Sequence, residues 1–153
     1  LLNPDFRDML SALSAEDVEY LLVGAYAMAV YGRPRATGDM DVLVRPTPEN
    51  ARRVLLALKR FGAPLLDLTQ QDLETKGTVF QIGQPPRRID IMNEIDGVGF
   101  DEAWEARVSR EVDGVTVPVI SREHRLRNKR AAGRPRDRAD AAWLEEQDKP
   151  EGA

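Results

Sequence analysis

The residues whose types and spacing could do chemistry are three aspartates. Asp39 and Asp41 stand one residue apart in "TGDMDVLV", residues 37–44, and Asp90 sits between two isoleucines in "RRIDIM", residues 87–92. On a β-strand alternate residues share a face. Met40, Val42 and Val44 would then form a core face, and Asp39, Asp41, Leu43 and Arg45 a polar, partly open one. Ile89 and Ile91 would likewise face the core and leave Asp90 on the other side with Arg88. Two carboxylates ~6 Å apart at an effective dielectric of ~20 repel each other by about 3 kcal/mol. A divalent cation between them turns that cost into attraction. Mg²⁺, or Mn²⁺ in its place, takes carboxylate oxygens together with substrate phosphates. If the two strands are neighbours, Asp39, Asp41 and Asp90 converge on a two-metal site able to clamp the attacking and leaving oxygens of an in-line displacement. The competing reading is the wetted side of half-buried strands, which needs no ligand.

The residues upstream bear on that choice. "YLLVGAYAMAVYGRPRATGDMDVLV", residues 20–44, reads as apolar strand, small-residue turn, helix, basic loop and acid pair. Gly24 and Ala25 open a helix directly after a strand, where free backbone N–H groups and small side chains admit a phosphate. The same turn also serves ordinary strand-to-helix packing. Arg33 and Arg35 add positive charge just before the acids, and Thr37 joins them as a candidate contact to nucleotide.

The elements that must position these side chains follow from periodicity and punctuation. Helices are expected over 5–13, 25–32, 48–60, 70–75, 100–107 and 122–132, and after the break at "GRPRD" a last helix ends near Glu146. Strands are expected over 20–24, 40–45, 77–83 and 87–92. Residues 108–120 read as a hairpin turning at Asp113–Gly114, and 64–67 stay open between strand and loop. Strands and helices alternate early and a hairpin follows, so the fold class is α/β with a mixed sheet flanked by helices.

Composition narrows the class of molecule. At 42% hydrophobic and 31% charged, the 153-residue chain is an ordinary globular sequence, not a disordered one. With no cysteine, disulfides and thiolate-bound zinc are excluded. The opening "LLNPDFRDML" lacks a basic segment followed by an apolar one, so no secretory signal is read there. The longest apolar run, residues 21–31, is too short to span a bilayer. A cytoplasmic protein that does not enter membranes is the expectation. Net charge is −4, yet residues 121–140 carry eight Lys/Arg against three acids. That basic block either faces an anionic partner or forms a solvated helix face.

Residues 20–44 resemble the opening of the DNA-polymerase-β-type nucleotidyltransferases: an apolar strand, a Gly-Gly or Gly-Ser turn, a spacer, D-x-D, and a third acid on a later strand. The wording is closest to the minimal nucleotidyltransferases and the related abortive-infection-type (AbiEii-like) group. The ending "RNKRAAGRPRDRADAAWLE", residues 127–145, also resembles that group, where a Lys, "AGRP", a basic residue and Asp recur. The resemblance implies a polymerase-β-like fold with C-terminal helices and residues 1–147 as one nucleotidyltransferase-like domain; from the sequence itself the tail at 148–153 is expected to be frayed. It implies transfer of NMP from an NTP to a hydroxyl, with pyrophosphate released. Asp39, Asp41 and Asp90 would hold the metals, and Asp90 would help the acceptor lose its proton. Gly24 would hold the triphosphate, Lys129 would lie near phosphate, and Asp137 would orient it or a neighbouring base. The acceptor could be an RNA such as a tRNA end, a protein side chain or a small molecule such as an antibiotic, and the setting a toxin–antitoxin pair or phage defence. Ala25 departs from the pattern by removing a Ser hydroxyl, and Arg138 by replacing an apolar residue.

Two rivals remain beside this reading. One is a non-catalytic module of the same fold that binds a toxin or antitoxin partner or a nucleotide. The other is a nucleic-acid-binding protein working through its basic C-terminal helices. His124 is expected at the surface. Trp104 and Trp143 are expected in the core or an interface, with stacking on a base as the alternative.

Overall fold

The computed structural model describes residues 3–32 and 38–147. Helix α1 (Pro4–Ala15) starts where Asn3 accepts a hydrogen bond from the Phe6 N–H at 2.9 Å, and it buries Phe6, Met9, Leu10 and Leu13. Strand β1 (Tyr20–Val23) is buried along its whole length and runs straight into α2 (Gly24–Val30). Strand β2 (Met40–Val44) leads to α3 (Pro48–Phe61), which has Pro at its first turn and buries Val54 and Leu58. A short α4 (Gln70–Glu74) is closed by a reciprocal cap between Thr69 and Asp72. Then come β3 (Val79–Ile82), β4 (Ile89–Met92), α5 (Phe100–Glu105), β5 (Val108–Val112), β6 (Val115–Val119), α6 (Arg122–Ala132) and α7 (Pro135–Gln147). The expected hairpin is present. Asp113 and Gly114 take φ of 50° and 82°, the left-handed pair that a two-residue turn between twisted strands requires.

The six strands form one mixed sheet in the order β3-β4-β2-β1-β6-β5. Strands β2 and β4 are parallel, as are β1 and β6, and the other neighbours are antiparallel. The expected fold class, a mixed sheet with flanking helices, is the one observed. The sheet's centre is the core: Leu21, Leu22, Val42, Ile91 and Val119 are all at most 1% exposed. Asn50, on α3, pins the chain entering β1 to the chain leaving β2. It accepts from the Glu19 N–H at 2.8 Å and donates to the carbonyls of Glu19 and Arg45. Among the described residues no helix is long and apolar enough to cross a membrane.

Three expectations are corrected. The face carrying Asp41, Leu43 and Arg45 is not open along the strand. Leu43 is as buried as Val42, because β2 is a central strand covered on both faces, and only its head is accessible. His124 is buried, since α6 turns it inward behind the Ser121 cap. Much of the basic block is neutralised within the fold: Arg127 pairs with Glu102 at 2.8 Å, Arg130 with Glu145 at 2.5 Å, and Lys129 with two aspartates.

Candidate active site

The parallel register of β2 and β4 sets Asp41 directly beside Asp90. Each is the second residue of its strand, Asp41 half-buried and Asp90 buried, so the pair sits at the strands' beginning among the fully buried Met40, Val42, Ile89 and Ile91. Asp39 precedes β2 and is held by the residue before β4: the Arg88 N–H donates to Asp39 Oδ1 at 3.2 Å, and the Met40 N–H donates to the Arg88 carbonyl at 2.9 Å. The Arg88 guanidinium spans the outer acids. Its Nε lies 2.8 Å from Asp90 Oδ1, and its Nη2 lies 3.2 Å from both Asp90 Oδ2 and Asp39 Oδ2. The three aspartates of the sequence reading are therefore brought together.

Two glycines make room for them. Gly24 has φ of +70°, and a Cβ built on it would lie 2.3 Å from Asp41 Oδ2. Only glycine satisfies both the backbone and the approach. A Cβ on Gly38 would meet the Pro86 carbonyl oxygen at 2.2 Å, so the residue before Asp39 is pressed against the turn before β4.

Electrostatics mark Asp41 as the strained member. Burial, then the neighbouring Asp90 charge, push its carboxyl up to about 6, against partial relief from Arg125. Asp90 also shares a hydrogen bond with it, and Asp39 adds repulsion. Acids crowded in this way form a hard-oxygen donor set whose repulsion a divalent cation relieves. Arg88 supplies part of that relief, and among the described residues no group of three acids or histidines is already arranged as a metal cage. The donor chemistry fits Mg²⁺ or Mn²⁺, provided Arg88 yields the oxygens it holds.

These acids floor a cleft of about 810 Å³ whose opposite wall is the α6–α7 junction. Gly24 and Ala25 border it, as do Lys129 and Asp137. Lys129 is buried with its Nζ 2.9 Å from Asp137 Oδ1 and 2.9 Å from Asp140 Oδ2. Asp137 also accepts from Arg134 Nε at 2.6 Å. Its burial favours the neutral acid, yet hydrogen bonds from Arg134 and Lys129 outweigh that and hold it well below the usual carboxylate range. Asp140, fully buried, was missed by sequence reasoning; its signal was the i,i+3 spacing from Asp137 on one helix face. Arg125, nearly as buried and also lining the cleft, was missed within the basic run. Arg35 and Thr37 lie outside the described residues. Trp104 stacks on Phe100 and under Arg107, and neither it nor Trp143 lines the cleft. Arg138 is exposed and adds to the basic surface.

The sheet with its flanking helices is that of nucleotidyltransferases, as solved structures show. TM1012 from Thermotoga maritima, whose nucleotidyltransferase assignment is provisional, is 18% identical, with a TM-score of 0.65, covering 95% of this chain and 96% of that one. The lincosamide antibiotic adenylyltransferase LnuA, solved with lincomycin, is 15% identical, with a TM-score of 0.62 and coverage of 95% and 97%. An antigenic nucleotidyltransferase-like protein from Paracoccidioides brasiliensis is 18% identical, with a TM-score of 0.55 and coverage of 95% and 77%. No curated protein sequence matches. Residues 5–144 match the aminoglycoside-2''-adenylyltransferase family, and the chain belongs to it. The chain is thus an enzyme of the nucleotidyltransferase class, and the superfamily resemblance holds at that level.

Proposed function

We propose that this protein transfers a nucleotidyl group, adenylyl by its family, from an NTP to a hydroxyl of a small cationic acceptor of the antibiotic type. The observation carrying the proposal is the meeting of Asp39, Asp41 and Asp90 on the floor of one cleft. In this reading the acceptor oxygen forms a bond to the α-phosphorus, and the bond from that phosphorus to the bridging oxygen breaks. Asp90 takes the hydroxyl proton, and pyrophosphate leaves. Asp39, Asp41 and Asp90 are the residues that would hold Mg²⁺ or Mn²⁺, which would supply positive charge against the triphosphate. The backbone at Gly24 and Ala25 borders the triphosphate. Lys129 would meet phosphate from the opposite wall: its ammonium donates to Asp137 Oδ1 and lies 2.9 Å from Asp140 Oδ2, and the two carboxylates fix its direction. Glu94 and Asp96 line the cleft beyond β4, where negative charge suits an amine-bearing acceptor.

Transfer of label from α-labelled ATP tests this. Aminoglycosides, lincomycin, tRNA and whole-cell protein would be offered as acceptors with Mg²⁺ or Mn²⁺. Label on an antibiotic, lost in Asp41→Asn, is expected. Label on tRNA or protein instead would support the toxin–antitoxin or phage-defence setting that the resemblance implies. Transfer surviving in Asp39→Asn/Asp41→Asn would end the proposed mechanism.

A further inference from the structure

We propose that Arg88 is a built-in competitor of the divalent cation, compensating the acid cluster until metal displaces it. The inference rests on the reading of Asp39, Asp41 and Asp90 as metal ligands. Arg88 is tied to both outer acids at once: Nε 2.8 Å from Asp90 Oδ1, and Nη2 3.2 Å from Asp90 Oδ2 and from Asp39 Oδ2. Its own N–H donates to Asp39 Oδ1 at 3.2 Å, so backbone as well as side chain occupies that carboxylate. A carboxylate oxygen offers few lone pairs, and those directed at a guanidinium are not available to a hard cation. A guanidinium and a divalent ion on the same oxygens would also repel each other. Binding of the ion therefore requires Arg88 to leave, and the ion's apparent affinity falls by the fraction of molecules in which it has left.

The surroundings permit that departure. The Arg88 side chain is 28% exposed at the cleft's edge, whereas that of Asp90 is 10% exposed and fixed in β4. The partner with room to swing out is thus the arginine, and Asp90 stays where β4 puts it. Arg88 keeps the cluster charge-compensated between turnovers and holds Asp39 and Asp90 in place for the ion that replaces it.

The test is Mn²⁺ binding without nucleotide at fixed pH, read as loss of the free-ion electron paramagnetic resonance signal. It compares wild type, Arg88→Gln, Arg88→Lys and Asp39→Asn/Asp90→Asn. Arg88→Gln is expected to bind Mn²⁺ about tenfold more tightly than wild type, because one competing charge has gone. Arg88→Lys, whose single ammonium cannot bridge both acids, is expected in between, and it carries the test if the Gln variant does not fold. Equal or weaker binding in both Arg88 variants, with binding still lost in the double Asp variant, would overturn the inference and leave the metal site standing. No Mn²⁺ binding in wild type or either Arg88 variant would overturn the metal site and the inference together.

Discussion

Asp41 and Asp90 face each other across the parallel register of β2 and β4, so the two carboxylates share one hydrogen bond and repel whenever both are ionised. The strand pairing that builds the core also enforces that contact, because slipping the register by one residue would turn Val42 and Ile91 out of the core. The cluster is costly to the fold, and its cost depends on pH.

The first prediction concerns that cost. Burial and Asp90 raise the folded-state Asp41 carboxyl to about 6, above its value of about 4 in an unfolded chain. The folded state then holds the proton more tightly. Asp41's favourable contribution is complete below about pH 4 and is lost as pH rises through about 6. In a chelator, Asp41→Asn should raise stability relative to wild type at pH 8 by on the order of 2 kcal/mol, with the two converging near pH 4. Thermal melts across pH check this, and the same variant should show no nucleotidyl transfer. A destabilised Asp41→Asn at pH 8 would contradict the assignment of strain.

Gly24 yields a second prediction. Alanine there must accept φ of +70° and place its methyl 2.3 Å from Asp41 Oδ2. The far end of the Asp41 side chain would give way first, moving the carboxylate away from Asp90. Gly24→Ala should therefore lose transfer activity about a hundredfold or more and cost about 1–2 kcal/mol of stability. Ala25→Gly changes a residue whose methyl already fits, and should keep activity within a few-fold. Equal activity in Gly24→Ala and wild type would show that the close approach is unimportant.

How much of this was legible in the sequence differs by residue. Asp39, Asp41 and Asp90 could be read because strand alternation separates them from Val42 and Ile91, and the alternation survives folding. The limits of β2's open face could not, because burial of Leu43 depends on what covers the strand. On α6 the inward residues are His124, Arg125 and Lys129, so the rule that apolar residues mark the buried face misplaces the helix. The Lys129 charge is tolerated inside because α7 returns Asp137 and Asp140 against it, a pairing that the helix turn at Gly133 creates. The bridge made by Arg88 depends on a side-chain rotamer, which no spacing rule supplies.

Asn50 separates stability from catalysis. It is 3% exposed, makes three hydrogen bonds to the backbone around β1 and β2, and does not line the cleft. Asn50→Ala takes this partner from the Glu19 N–H and the Arg45 carbonyl, while the Glu19 carbonyl keeps the Arg45 N–H, at a cost of about 2–3 kcal/mol. Chemical denaturation should show that loss, while transfer per folded molecule at low temperature stays within about twofold of wild type. A large fall in activity with stability unchanged would mean that this staple reaches the site.

The Lys129 network provides the last prediction. Lys129→Met leaves Asp137 and Asp140 buried without their shared ammonium, although Arg134 still serves Asp137. Asp137→Asn leaves Lys129 with Asp140 and frees Arg134. Breaking one side of a buried ion pair costs about 3–5 kcal/mol, so both single variants should be markedly less stable, Lys129→Met the more so. The double variant should cost less than the sum of the two, because each single change strands a charge that the other removes. Hydrogen bonds from Arg134 and Lys129 hold the Asp137 carboxyl well below its unfolded value. Its stabilising contribution is complete above about pH 4 and fades as the solution is acidified further. Asp137→Asn should therefore show a shallower acid-induced loss of stability than wild type. Additive costs in the cycle, together with unchanged acid sensitivity, would mean that these side chains touch without supporting each other.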